Sequence, residues 1–426
     1  MNKTKTHEPL FHVVKRGSAS RSKGYAAGVR AIAIILGLLF CGIICAIAAK
    51  TSMFNVFKNM FNGVFGTNRR IWKAAKDLAL LLGVGLALVP AFKMKFYNLG
   101  GNGQILISAL ATTACMWYLG GKIPDGVLNL IMVVAAIAAG ALWAVIPAIF
   151  KAFFKTNESL FTLMMNYVAS VLVALTITIW VPTGTGTLAP IEHGALPVLG
   201  HTYLLSILVI AVITVLMFVY LKYTKHGYEL SVVGGSENTA RYIGLNVKKV
   251  IIRTAVLSGA ICGVVGLLLS GAINHMVSTT IANNMGFTAI MVAWLAQFNP
   301  FAMIGTSFLI TFMTMGMAQV QMAYNISTAI SQVAIAVVYF FIIGCRFFIS
   351  YKIMVRPGSF VKTRKVFGAI NAFFKKIFTP VGEFFKKIFA AIGRFFKKIF
   401  GAVAEFFKDL FGKIAGKNKK GGSDKQ

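Results

Sequence analysis

Long apolar runs, broken by short polar segments, dominate the chain from residue 31 to residue 350. A helix needs about 20 mostly apolar residues to cross a bilayer, whereas the strands of a membrane barrel alternate apolar and polar residues. The pattern therefore predicts an all-α polytopic membrane protein with about ten transmembrane segments (eight to ten), some of them short or broken. The predicted segments are 31–49, 77–92, 105–119, 127–150, 160–180, 203–221, 250–271, 288–298, 301–319 and 326–350.

Charge divides the chain into a basic cytoplasmic N-terminus (1–30), a transmembrane region (31–350) and a basic tail (351–426). The net charge is +32, from 43 basic and 11 acidic residues. Because the basic residues cluster at the ends of apolar runs and at both termini, they indicate membrane orientation and contact with anionic lipid, and not a nucleic-acid partner.

Ten spans with both termini inside place the loop 222–250 in the cytoplasm and the loop 181–201 outside. The second loop has no Lys or Arg, which agrees with the positive-inside rule. The connection 50–76 would also lie outside although it is basic, which conflicts with that rule unless the segment lies in the membrane interface.

The tail repeats an 11-residue unit that begins at Phe373, Phe384, Phe395 and Phe406. Each unit starts with two phenylalanines and a basic residue, so its apolar positions share one face of a helix. Residues 381–415 are predicted to form an amphipathic helix on anionic membrane lipid. Association of the apolar faces into a helical bundle is the alternative.

Two segments, "YNLGGNGQ" and "QFNP", interrupt the apolar runs with Gly, Asn and Pro. Irregular backbone at membrane depth is tolerated where it is buried in protein or lines a cavity, so these segments indicate a transport pathway or, alternatively, loops at the interface. Four polar residues in or beside the spans are predicted to line a pathway for a neutral polar solute, or else to bond helices together. They are Asn98, Gln104, Asn166 and Tyr167.

Several classes of function are disfavoured by what the spans lack. No acidic residue lies in the middle of a span, which argues against a proton-coupled carrier. The chain has no phosphate-binding loop of the G-x-x-x-x-G-K-[ST] type, and His226 and His275 stand alone. The five cysteines show no metal-binding spacing. We expect no catalytic residue, metal or cofactor, and any pumping energy must come from another chain.

The loop 222–250 contains the signals of a short helix at 237–243. Ser236 is a good N-cap, Glu237 suits the first turn, and Gly244 can take the left-handed conformation that ends a helix. Such a capped helix could dock in a groove of a soluble partner, or it could be an ordinary surface connection.

This loop, "GYELSVVGGSENTARYIGLNVKKVI", resembles the cytoplasmic loop of ABC-importer permeases of the simple-sugar and nucleoside branch. "FYNLGGNGQILISA" is similar to the F-N-I-G-x-E-G-Q signature of that branch, with Asn102 in place of the family's acid. "NESLFTLMMNYVA" and "GFTAIMVAWLAQFNP" also match family segments in the same order. The resemblance covers roughly residues 76–341.

The resemblance implies a permease subunit of the bacterial cell membrane, with an ATPase subunit, a second permease subunit (a paralogue or a second copy) and a substrate-binding lipoprotein. It also implies that the loop helix couples to the ATPase. The residues it assigns to coupling are Gly235, Ser236, Glu237, Ala240, Arg241 and Gly244. Nucleosides are the expected substrate and simple sugars the alternative. A secondary carrier of a neutral solute and a membrane scaffold are the competing classes.

Overall fold

The computed structural model describes residues 11–15, 23–182, 188–198 and 200–355, in two compact units. The smaller unit combines both ends of the chain. Its strand β1 (Phe11–Lys15) pairs antiparallel with β2 (Tyr351–Val355), and Lys15 lies opposite Tyr351. The sequence pattern did not predict these strands, because each is only five residues long. The tail helix predicted at 381–415 lies outside the described residues.

The larger unit is helical, and its helices follow the predicted segments closely. The helices are α1 (Lys23–Ala49), α2 (Met53–Phe65), α3 (Asn68–Lys93), α4 (Gly101–Leu119), α5 (Asp125–Phe154), α6 (Glu158–Trp180), α7 (Leu204–Tyr223), α8 (Lys225–Gly235), α9 (Glu237–Tyr242), α10 (Val247–Leu267), α11 (Met285–Leu295), α12 (Pro300–Tyr324) and α13 (Thr328–Ser350). A π-helical turn, Leu268–Asn274, extends α10.

Eight of the described helices are long and apolar enough to cross a membrane. They are α1, α3, α5, α6, α7, α10 with its π-helical turn, α12 and α13. Two shorter or less apolar helices, α4 and α11, match the remaining predicted segments. The prediction of an all-α polytopic membrane protein is therefore confirmed.

Helix α3 lies at the centre of the bundle, where it packs against α7, α10, α11 and α12. Every residue from Ala79 to Phe92 is buried, as expected of a core helix that is apolar on all sides. The prediction of a short span at 77–92 was wrong, because α3 begins at Asn68. Its first two turns carry Arg69, Arg70 and Lys73. Because these residues are charged, a search for apolar runs did not find the first two turns.

Among the other helices, the largest boundary differences from prediction are in α1 and α12. Helix α1 begins at Lys23 and not at residue 31. Helix α12 extends to Tyr324, beyond the predicted end at 319. The "QFNP" segment before α12 is a turn in which Gln297 and Asn299 are exposed.

The two ends of α3 identify which loops share a face of the protein. Near its start, Trp72 stacks on His201 with ring centroids 4.2 Å apart, and the Lys76 ammonium lies 5.4 Å from the centre of the Tyr203 ring. At its other end, the Lys93 carbonyl contacts Gly234 of α8 so closely that a side chain there would collide with it. The basic connection 50–76 therefore reaches the same face as the loop before α7, opposite to α8 and α9.

Candidate functional site

Helix α9, at residues 237–242, is the short helix that the loop pattern predicted. Its N-cap is Ser236, whose side chain accepts a hydrogen bond from the Thr239 amide at 3.3 Å. Glu237 and Arg241 face each other one turn apart at 3.8 Å, but both are more than half exposed. Such an exposed pair contributes little stability, so the caps are the main local stabilisation.

The end of α9 is closed by a pair of backbone hydrogen bonds around Gly244. The Gly244 amide donates to the Arg241 carbonyl at 3.0 Å, and the Leu245 amide donates to the Ala240 carbonyl at 3.0 Å. This is the Schellman arrangement, which requires a left-handed residue, and Gly244 has a φ of 80°. Glycine takes this conformation without the steric cost that a Cβ imposes.

The side chains of α9 and of its C-cap residue Ile243 divide into a buried anchor and an exposed face. Ala240 is fully buried, whereas Tyr242 is 91% exposed and Ile243 is 56% exposed. The sequence grouped Ala240 with the docking residues, but the structure places its side chain against the protein itself. Sequence reasoning missed Tyr242 and Ile243, although a large apolar pair inside a polar loop is the signal that could have identified them.

Helix α8 fixes α9 to the bundle. Its first turn is capped by Thr224, whose hydroxyl accepts a hydrogen bond from the Gly227 amide at 3.2 Å. Glu229 accepts a hydrogen bond from Arg253 of α10 at 2.6 Å and lies 3.4 Å from the His226 ring. Arg253, and to a smaller extent His226, lowers the pKa of the Glu229 carboxyl. Sequence reasoning did not find this pair, because its members are 24 positions apart.

Three of the four predicted pathway residues meet where the chain passes from α3 to α4. Asn98 donates to the Ser258 hydroxyl of α10 at 3.2 Å and accepts from Gln104 at 3.4 Å. Asn166 of α6 donates to the Leu99 carbonyl at 2.9 Å and accepts from the Gly103 amide at 2.7 Å. These side chains bond helices and irregular backbone together, which was the alternative interpretation of their role.

The amide of Asn102 joins the starts of two helices. Its Oδ1 accepts a hydrogen bond from the Gly286 amide at the start of α11, at 2.8 Å. Both residues are buried, so this bond satisfies a donor that water cannot reach. The sequence showed only that Asn102 replaces an acid of the family signature. Its partner, 184 positions away, gave no local signal.

Gln104 has one unpaired side-chain atom in this cluster, and Tyr167 lies apart from it. The Gln104 side chain is 1% exposed, and its Oε1 is buried without a hydrogen-bond donor. Tyr167 is 63% exposed on the outer surface of α6, away from the buried amides. Among the described residues, no group of three His, Cys, Asp or Glu side chains could hold a metal ion.

Comparison with known proteins identifies the family of the helical region. Residues 76–343, more than half of the chain, match the family described as "Branched-chain amino acid transport system / permease component". The matched region includes the amide cluster, the α8–α9 loop and the α11 start.

Several curated proteins are similar over most of their length. The guanosine ABC transporter permease protein NupP of Bacillus subtilis is 26% identical over 323 residues, 73% of this chain and 91% of that protein. The nucleoside ABC transporter permease protein NupB of Lactococcus lactis is 26% identical, covering 73% and 89%. The glucose ABC transporter permease protein TsgB13 of Haloferax volcanii is 25% identical, covering 75% and 88%.

The family match confirms the resemblance that the four motifs indicated, including its simple-sugar and nucleoside branch. Proteins of this family are membrane components of importers and not enzymes. ATP hydrolysis belongs to a separate subunit, and a substrate-binding protein delivers the solute. The chain thus belongs to the ABC-transporter permease family, as a multi-pass subunit of the cell membrane.

Proposed function

We propose that the chain forms the translocation pathway for nucleosides in an ATP-driven importer, and that α9 is the helix that docks on the ATPase. Two of the similar permeases are named for guanosine and for nucleosides, which supports the substrate class. The α9 face of the protein would then be cytoplasmic.

The attachment and the exposed surface of α9 are the main support for the proposed coupling role. A helix that transmits force must be rigid and firmly attached, and it must present an exposed surface to its partner. Ala240 supplies the attachment and the Schellman bonds make the helix end rigid, while Tyr242 and Ile243 supply exposed apolar surface. Gly235, Ser236 and Gly244 set the bounds of the helix, and Glu237 and Arg241 give the surface a polar rim.

The predicted pathway residues are proposed to act in two ways. Asn98 and Asn166 hold the backbone between α3 and α4, while Gln104 has a buried carbonyl oxygen that is free to accept a hydrogen bond. Amide groups of this kind suit a neutral solute with hydroxyl and base N–H groups. The exposed Tyr167 could reach a pathway that lies between this chain and a second permease subunit.

That second subunit, either a paralogue or a copy of this chain, is part of the same proposal. The helices α5, α6 and α7 each bury less than a third of their most apolar window, so they have apolar surface for lipid or a partner. The basic repeats of residues 381–415 are proposed to bind anionic lipid.

Uptake by intact cells tests the substrate. Deleting the gene in its host should abolish uptake of radiolabelled guanosine and uridine while leaving glucose uptake unchanged. Restoring the full chain should restore both nucleosides. Normal nucleoside uptake in the deletion strain would contradict the proposal.

Simple sugars remain the second candidate, because one similar permease is named for glucose. The same uptake experiment separates the two. Loss of glucose or ribose uptake, with nucleoside uptake intact, would assign the chain to sugars.

A further inference from the structure

A basic pocket lies beside the α8–α9 loop, between the end of α5 and the start of α10. It is an open pocket of about 500 Å³. It is lined by Phe153, Asn246, Lys248, Lys249, Ile252 and Arg253. The function proposed above uses none of these side chains.

The charges in this pocket are not balanced within the described residues. Arg253 pairs with Glu229, which leaves Lys248 and Lys249 as excess positive charge. Neither lysine has an ion-pair partner in the described part of the chain, and both are exposed. They also stand in the first turn of α10, where the helix dipole is positive and cations are disfavoured. A bound anion would offset both the unpaired positive charge of the two lysines and their unfavourable interaction with the helix dipole.

The pocket is apolar on its α5 side. The Lys248 ammonium lies 4.4 Å from the centre of the Phe153 ring, so the cation and the ring hold each other in place. Phe153 is 56% exposed, and Phe150 and Ile146, which precede it on α5, are also exposed. These three positions are spaced three and four apart, so they continue one face of α5 into the membrane.

We propose that this pocket binds the headgroup of an anionic phospholipid, whose acyl chain lies along the Ile146–Phe153 face of α5. The two lysines attract the single negative charge of the phosphodiester, and Asn246 can donate to its oxygens. A soluble phosphate would use the lysines alone, whereas a lipid also uses the apolar face. The α5 and α10 helices are both candidate spans, so the pocket stands at a membrane boundary.

Such a lipid would contact the helix that directly follows α9. Lys248 and Lys249 lie within a few residues of Gly244, and Arg253 holds α8. The bound headgroup would therefore stabilise the position of the α8–α9 loop. It is distinct from the lipid contact proposed for residues 381–415.

Native mass spectrometry of the full-length chain in a neutral detergent can test this site. The purified protein is mixed with phosphatidylglycerol or with phosphatidylcholine of the same acyl chains. We expect the Lys248→Gln/Lys249→Gln variant to retain phosphatidylglycerol about 30-fold less, which is about 1 kcal/mol for each lysine. Retention of phosphatidylcholine should stay unchanged.

The matched control is Lys222→Gln/Lys225→Gln, which removes two exposed lysines at the same membrane boundary. Lys222 also lies over an aromatic ring, that of Phe218 at 5.2 Å, so the control loses a similar contact. This variant should keep the wild-type preference. An equal loss in both variants would show general charge attraction and overturn the site.

Two further measurements identify the ligand that occupies the pocket. Glycerol phosphate should fail to displace the lipid, and Phe153→Ala should weaken lipid retention. If glycerol phosphate displaces the lipid, the ligand is a soluble phosphate and the lipid proposal is wrong. If the lysine variant retains lipid normally but loses its ATPase during purification, the pocket is a protein contact and the proposal is equally wrong.

Discussion

The guanidinium of Arg253 lies 2.6 Å from the carboxylate of Glu229, so one ion pair joins α10 to α8 across the loop that carries α9. Both side chains are partly buried, at 28% and 18% exposed, in contrast to the exposed Arg241–Glu237 pair. The bond therefore fixes the base of the proposed coupling element, while the pair within α9 does not.

Replacing Glu229 by Gln should lower the stability of the protein by about 1 kcal/mol, because Arg253 loses its charged partner. The pKa of Glu229 is lowered from its ordinary value of 4.5, so the ion pair contributes fully above that value. Its contribution is lost as the pH falls through the lowered pKa. Thermal unfolding at acidic and neutral pH should show a pH dependence that the variant lacks. The exposed Glu237→Gln control should behave like the wild type, and equal behaviour of all three would contradict the assignment.

Tyr242→Asp should weaken association with the ATPase by about 30-fold, because an exposed aromatic anchor of a partner surface is worth about 2 kcal/mol. The measurement is the amount of ATPase that co-purifies with the tagged chain. Tyr228→Asp is the matched control, since Tyr228 on α8 is 67% exposed. An equal loss in both variants would mean that charge, and not the α9 surface, causes the effect.

Ala240→Asp should destabilise the loop before it affects any partner. Ala240 is fully buried, and an unpaired buried carboxylate costs several kcal/mol. Limited proteolysis of the detergent-purified chain should cut the α8–α9 loop faster in this variant. Asn238→Asp, exposed on the same helix, should be cut at the wild-type rate. A stable Ala240→Asp protein would show that this side chain is not packed as described.

Asn102→Asp should be tolerated, because a carboxylate oxygen can still accept the hydrogen bond from the Gly286 amide. Asn102→Leu keeps the same branched arrangement of four side-chain heavy atoms, in a bulkier form, but leaves that buried amide unpaired, at a cost of about 1–3 kcal/mol. Unfolding temperatures of the two variants should differ accordingly. If both variants lose the same stability, the hydrogen bond is not the reason for an acceptor at this position.

Cysteine substitution can separate the two proposed kinds of pathway residue, after the five native cysteines are removed. A cysteine at Tyr167 should react with a small polar thiol reagent if water reaches the α6 surface. Cysteines at Asn98 and Asn166 should react only when the helices move during transport. Adding the ATPase, ATP and substrate should therefore raise their labelling. No labelling at any of these positions would remove them from the pathway.

The sequence predicted the features whose signals are local. Ser236 and Gly244 bracket α9 because capping depends on residues within one turn. The apolar runs located the spans for the same reason. The predicted start of α3 was wrong, since a core helix can extend past its apolar run when its end reaches solvent.

The missed features depend on pairs that are distant in the chain. Nothing near Asn102 indicates Gly286, and nothing near Glu229 indicates Arg253. Helix packing decides these partners, and one sequence without homologues carries no record of it. The burial of Ala240 was not predicted for a related reason, because a helix of six residues does not show which of its faces is buried.

The position of the basic connection 50–76 has a consequence for how the chain enters the membrane. Six Lys or Arg and no acidic residue follow α1, while seven Lys or Arg precede its middle in residues 1–30. The charges flanking this first helix are therefore nearly symmetrical and give an inserting ribosome-bound chain little directional information. Orientation must be decided later in synthesis, when the loop before α7, which has no Lys or Arg, and the basic α8–α9 loop emerge. A chain truncated after residue 76, which keeps the basic residues on both sides of α1, should insert in both directions, and only the longer chain should acquire a single topology.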